Sequence, residues 1–297
     1  MSLPRRVLPG VTYLITRRCN QRTFRLRPSE RTNDIFLYCL AVAAKKSGVV
    51  VHAVCVMSNH HHTVITDVDG ALPIFLRELH RMTAKTLNAS QAQWENLWSA
   101  EPTNAVYLAE AEDVLRKIAY VVANPVDAGL VAEPEDWPGV LLWGQQRILV
   151  KRPRDYFDPK GSSDDEVELL VVPPPAALEL ADWDRRLAAE ISALVAKAHE
   201  AVRALGWRLL GRVAVLASSF VARAKGYEIK RGVVPKIAAI HRETRRAVLQ
   251  EYARFYAAYD DALSAWRAGD REAVFPPGTW WMRVHHAASV EAIADAA

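Results

Sequence analysis

Apolar residues in the first half of the chain fall alternately into short strand-like runs and helical stripes. Residues 11–16 (VTYLIT) are β-branched and aromatic and predict a strand. After an arginine-rich polar loop, Pro28 and Ser29 open a helix that runs to about residue 46, with Gly48 as its stop. The apolar run 49–57 predicts a buried strand, Ser58 and Asn59 a turn, and the alternating 60–66 a second strand, so the pair predicts a hairpin. Asp69 and Gly70 break it. An amphipathic helix follows over 72–88, then a polar loop with Trp94 and Trp98, a strand at 105–108, and a helix over 111–123 that Pro125 should end. This order predicts an α+β fold with helices packed on one face of an antiparallel sheet.

The pattern changes near residue 150. Residues 151–178 collect Pro, Gly, Ser and Asp and predict a linker or irregular extension, after which helical stripes return at 183–205, 209–224 and 234–269. A chain of 297 residues suits two domains, here 1–150 and a mainly helical 179–297. The three cysteines, Cys19, Cys39 and Cys55, are too scattered for a disulfide framework or a zinc site and fit a reducing compartment. The opening residues carry no apolar segment after their positive charges, and no apolar run is long enough to span a bilayer. These features lead to the expectation of a soluble cytoplasmic protein with no membrane partner.

Net charge is only +4, but its distribution is uneven. Arg5, Arg6, Arg17, Arg18, Arg22, Arg25, Arg27 and Arg31 face a single acid, Glu30, across the first thirty-one residues, a cluster suited either to phosphate contacts or to an ordinary solvated surface. Basic residues recur at Arg223, Lys225, Lys230, Arg231 and Lys236, with the same two readings open.

Two short segments carry chemistry. In Met57-Ser-Asn-His-His-His-Thr63, strand alternation directs His60 and His62 to one face and His61 to the other. Two imidazoles so placed can share one metal ion, or can be histidines of a polar strand with local hydrogen bonds. In Tyr120-Val-Val-Ala-Asn124-Pro125, helical spacing aligns Arg116, Tyr120 and Asn124 on one side. The phenol can serve as a nucleophile, or can pack at the helix edge with Asn124 as a cap.

Taken together, Met57, Asn59, His60 and His62, followed by Tyr120, Asn124, Pro125, Val126, Ala128, Gly129, Leu130 and Val131 and then Trp137-Pro138, resemble the REP-associated tyrosine transposases, part of the single-tyrosine HUH transposase group. The resemblance covers about residues 7–145. It implies a ferredoxin-like HUH nuclease fold, His60, His62 and Asn124 as ligands of Mg²⁺ or Mn²⁺, and Tyr120 as the nucleophile. It further implies nicking of single-stranded DNA near hairpin or palindromic elements through a covalent 5′-phosphotyrosine, in the cytoplasm and on the nucleoid. Arg17, Arg18, Arg22 and Arg25 are the expected DNA contacts, and Arg116 or Lys117 the expected support for developing charge. Ser58, His61 and Asp127 depart from the family pattern, which usually has Pro, an apolar residue and Arg there, and Asp127 would repel phosphate. A silent relative that only binds DNA is the alternative, and monomer and homodimer are both open. The segment Phe275-Pro-Pro-Gly-Thr-Trp-Trp is similar to the extension of longer members, with no role assigned.

Overall fold

The first strand runs two residues beyond its expected end in the computed structural model, which describes residues 4–158, 161, 163–224 and 236–293. β1 (Val11–Arg18) leads to α1 (Glu30–Ser47), the hairpin β2 (Val50–Met57) and β3 (His60–Asp67), α2 (Leu72–Ser90), β4 (Asn104–Leu108) and α3 (Ala111–Asp127). The four strands pair antiparallel in the order β2-β3-β1-β4, the arrangement of a ferredoxin-like βαββαβ unit.

Local chemistry sets the element ends. Ser29 Oγ accepts the Thr32 N–H at 3.1 Å and caps α1. Gly48 ends the helix at φ 69°, a left-handed conformation in which a side chain would also meet Asp69. Asp67, fully buried at the end of β3, accepts the N–H groups of Ala71 and Leu72 at 2.7 and 2.9 Å and so starts α2. Pro125 does not end α3 as expected. It sits in the last turn, and the helix continues to Asp127 because only one internal hydrogen bond is forfeited there.

Strand alternation feeds two cores. Tyr13, Ile15, Val54, Val56 and Ile65 pack against α1 and α2, which supply Phe36, Leu40, Phe75 and Leu79. Leu14, Cys55, Met57 and Val64 point the other way, against Leu115, Ile118 and Val122 of α3. The expectation of helices on one face is met by α1 and α2, while α3 covers the second face.

Further strands extend the sheet to eight among the described residues. β5 (Leu141–Trp143) pairs with β2, and β6 (Gln146–Lys151) forms an antiparallel hairpin with β7 (Glu166–Val171). β7 joins β2 in parallel through Val171 and Val51. The segment 151–178, expected to be a linker or irregular extension, therefore contains a strand. The period-two alternation of Glu166–Val171 is short and lies among Pro, Gly and Asp residues that hid it.

Helices dominate the remainder: α4 (Ala176–Glu179), α5 (Trp183–Ala204), α6 (Arg212–Ala217), α7 (Arg242–Arg267) and α8 (Trp281–His286). α5 lays Trp183, Leu187 and Val195 on the same core as α3. Two expected helices are shorter than their patterns. Residues 209–224 are helical only in α6, and the chain after it bridges Arg223 to Thr23. The stretch expected to be helical from 234 contributes β8 (Ile237–Ala238), parallel to β4, before α7 begins. The open edge of β4 takes this pairing, with Tyr107 N–H donating to the Lys236 carbonyl at 2.8 Å, and it overrides local helix preference. Val234, Lys225, Lys230 and Arg231 lie outside the described residues.

Phe275 is fully buried beside Tyr259 and Trp266 of α7. Gly278, at φ 90°, lets its carbonyl accept the Val7 N–H at 3.0 Å, where a β-carbon would strike the Arg6 side chain. The Phe-Pro-Pro-Gly-Thr-Trp-Trp segment thus ties the start of the chain to α7. Cys19, Cys39 and Cys55 are all buried and free. Among the described residues no helix is long and apolar enough to cross a membrane.

Asp67→Ala is expected to destabilise the protein by about 1–2 kcal/mol, because the buried Leu72 N–H and the half-buried Ala71 N–H lose their acceptor. Urea unfolding measures this, and a midpoint equal to wild type would show that α2 starts without the carboxylate.

Candidate active site

Register along β1 and β3 sets the site. Thr16 lies opposite His62, Arg17 opposite His61 and Arg18 opposite His60, so the members of each pair share a sheet face. His60 and His62 accordingly stand on the α3 side, and His61 is buried on the α1–α2 side.

The His60 and His62 rings meet edge to face, with their Nε2 atoms 3.1 Å apart. Each Nδ1 has its own partner. His60 Nδ1–H donates to Asn59 Oδ1 at 2.6 Å, and His62 Nδ1 is 2.8 Å from Thr16 Oγ1. An amide oxygen only accepts, so the proton of neutral His60 is on Nδ1 and its Nε2 presents a lone pair. The Thr16 hydroxyl is less restrictive, since it can donate to His62 Nδ1 or accept from it. In the first case His62 Nε2–H donates to His60; in the second, two lone pairs face the same point. Two nitrogens bound cis to one cation at about 2.1 Å lie about 3.0 Å apart, so the pair fits a divalent metal ion. Among the described residues no group of three or more His, Cys, Asp or Glu side chains gathers to hold a metal, so a third protein ligand would be of another type.

α3 brings Tyr120 onto this pair. Its ring is 5.3 Å from that of His62, edge to face. The placement follows from the amphipathic helix: Ile118, Val121 and Val122 are buried, and Tyr120 lies at the margin of that stripe. One turn on, Asn124 is buried and its side chain hydrogen-bonds Tyr120. Burial raises the phenol's pKa above its ordinary value; the Asn124 bond opposes this, Asp127 adds to it, and Arg18 works against it. Burial also holds the His62 imidazole well below its usual range, with charge on His60 acting in the same direction. Of the two expected charge supports, Lys117 Nζ lies 5.8 Å from the Tyr120 ring centre. Arg116 is exposed and pairs instead with Glu112 at 3.6 Å.

The four expected DNA-contacting arginines separate. Arg18 is exposed on the histidine face, and Arg22 lies beside it, its carbonyl accepting from Asn59 Nδ2 at 3.4 Å. Arg17 falls on the opposite face, where its guanidinium donates to the carbonyls of Glu101 and Ser99 at 2.6 and 3.1 Å and to Thr103 Oγ1 at 3.2 Å. Arg25 is buried and donates to Gln91 Oε1 and Asn88 Oδ1 at 2.5 and 2.8 Å, holding the end of α2. The arginine-rich stretch was read as loop from residue 17. Because β1 includes Arg17 and Arg18, strand alternation sends them to opposite faces.

Two features escaped the sequence reading. Thr16 is the partner of His62, and the alternation that pairs β1 with β3 was the available signal. His80 is buried with its Nε2 3.0 Å from His61 Nε2, and Trp98 Nε1–H donates to its carbonyl at 2.8 Å. Burial lowers the His80 pKa to about 3, with Arg17 and Arg5 adding to the effect. Trp98 is therefore a packing residue, whereas Trp94 is 93% exposed.

No protein-family model matches the chain, and no curated protein matches it. Among solved structures it is similar to a REP-associated tyrosine transposase bound to a REP hairpin, at 21% identity and a TM-score of 0.40, over 47% of this chain and 81% of that one. It is also similar to a candidate transposase from Deinococcus radiodurans R1, at 17% identity and a TM-score of 0.27, over 36% of this chain and 85% of that one.

Proposed function

We propose that the protein is a metal-dependent, single-stranded DNA nuclease and strand transferase that acts near hairpins through a covalent tyrosine link. The observation that carries this reading is the meeting of the His60–His62 pair with the Tyr120 phenol on one sheet face. Phosphodiester transfer needs a nucleophile beside a site for charge stabilisation, and a phenol against two imidazoles suits that requirement.

Tyr120 Oη attacks the phosphorus, and the bond from phosphorus to the 3′ oxygen breaks. The products are a 5′-phosphotyrosine and a free 3′-hydroxyl, with the phenol's proton passing overall to the leaving oxygen. One ester replaces another, so a second 3′-hydroxyl can reverse the step and join strands. His60 and His62 through Nε2, and Asn124 through its amide, would hold Mg²⁺ or Mn²⁺, which supplies Lewis-acid polarisation of the phosphate. Thr16 and Asn59 orient the two rings. Asn124 orients the phenol, while Lys117 and Arg18 place positive charge on the side where phosphate oxygens would sit.

Labelled single-stranded DNA carrying hairpins from the neighbourhood of the gene, run with Mn²⁺ on a denaturing gel, should give a covalent protein–DNA band. The band should vanish with chelator and in Tyr120→Phe, and His62→Ala should slow its formation about a hundredfold or more. Adduct formation by Tyr120→Phe would overturn the mechanism, and hairpin binding without any wild-type adduct would leave a DNA-binding protein.

Thr16→Val preserves shape but removes the partner of His62 Nδ1. Mn²⁺ affinity, followed by electron paramagnetic resonance, is expected to fall about 10–100-fold, with Thr16→Ser close to wild type. Equal affinity in the valine variant would mean that the hydroxyl does not orient the ring.

A further inference from the structure

The first three turns of α7 carry Arg242, Arg245, Arg246, Leu249, Gln250 and Ala253 along one stripe, at helical spacings of three and four. These six residues form an open face of the helix, and the three arginines are exposed. Among the described residues none of the three has an ion-pair partner, although thirteen other ion pairs are present in the same set. Glu243, three residues before Arg246, stands at the margin of the stripe, which therefore carries three guanidinium groups against one carboxylate. The stripe keeps a net positive charge, and a polyanion is the ligand that suits it.

The stripe is also held in a fixed relation to the tyrosine helix. Glu110, the residue before α3, accepts from the backbone N–H groups of Ile240 and His241 at 2.9 and 3.0 Å, from His241 Nδ1 at 2.7 Å and from Thr244 Oγ1 at 2.8 Å. One carboxylate thus fastens the start of α7 to the start of α3. From Glu110 to Tyr120 is ten residues, or about 15 Å along the helix, a span of roughly four to five base pairs of duplex.

We infer that the Arg242–Arg245–Arg246 stripe binds the phosphate backbone of the base-paired stem that flanks the strand at Tyr120. The inference rests on the proposed nuclease reading and adds a second, duplex-binding surface supplied by the C-terminal half. Contact is with phosphates, so it is independent of stem sequence, and an arbitrary synthetic hairpin is a valid probe.

The test compares full-length wild type with the Arg242→Gln/Arg245→Gln/Arg246→Gln variant. The probes are a DNA hairpin with a ten-base-pair stem and an unpaired arm, and the arm alone. Fluorescence anisotropy is read across a salt series. Wild type should prefer the hairpin. The triple variant should lose that preference, bind the hairpin about tenfold or more weakly at moderate salt, and show a slope of log affinity against log salt shallower by about two to three. Replacing all three by lysine should restore most of the binding, since a point charge suffices for phosphate. Thermal melting confirms that the variants are folded, and each single glutamine substitution should by itself lower the slope by about one. A triple variant with wild-type hairpin preference and slope would overturn the inference, whatever the Tyr120 adduct does. Loss of preference in the variant without any wild-type adduct would uphold the stripe and overturn the nuclease reading.

Discussion

β3 lies between β1 and β2 as a central strand, paired along its whole length with β1 and over residues 60–66 with β2, where His52 forms a bulge. A strand held in this way cannot slip by one residue without turning every side chain to the opposite face. His61 makes such a slip costly, because its ring is buried against Phe36, His80 and Trp98 and its nitrogens are paired with Thr63 and His80. The back-face imidazole therefore acts as a register pin for the two on the front. The tyrosine helix, its aromatic contact with His62 and the positions of Thr16 and Arg18 all depend on that one register.

Much of this was legible because it depends on local period. The three helices that begin near residues 30, 72 and 111 and the 50–67 hairpin follow from apolar spacing and caps, though not the end of α3 beyond Pro125, and the separation of His60 and His62 from His61 follows from alternation alone. What was not legible depends on partners distant in sequence. No feature of Arg25 distinguishes it from Arg22 until Gln91 and Asn88 are brought beside it. Arg17 required knowing that β1 continues for two more residues. The strand at 237–238 exists because β4 offers an open edge, a property of the assembled sheet.

The C-terminal half braces α3 more than it forms a core of its own. α5 shares the α3 core, Arg186 pairs with Glu112, and Glu110 caps the entry to α7. Glu110 and Glu112 also suit the positive end of the α3 dipole, so the contacts that join the halves favour the helix that carries Tyr120. The Gly278 carbonyl reaching Val7 closes the chain back on its beginning.

Thr16 gives the histidine pair a property that no amide or carboxylate partner would allow. Rotation about its single C–O bond converts it from donor to acceptor, so the proton of His62 can move between ring nitrogens without displacement of any heavy atom. The two Nε2 atoms can therefore share a proton or face each other as two lone pairs within one unmoving frame of heavy atoms.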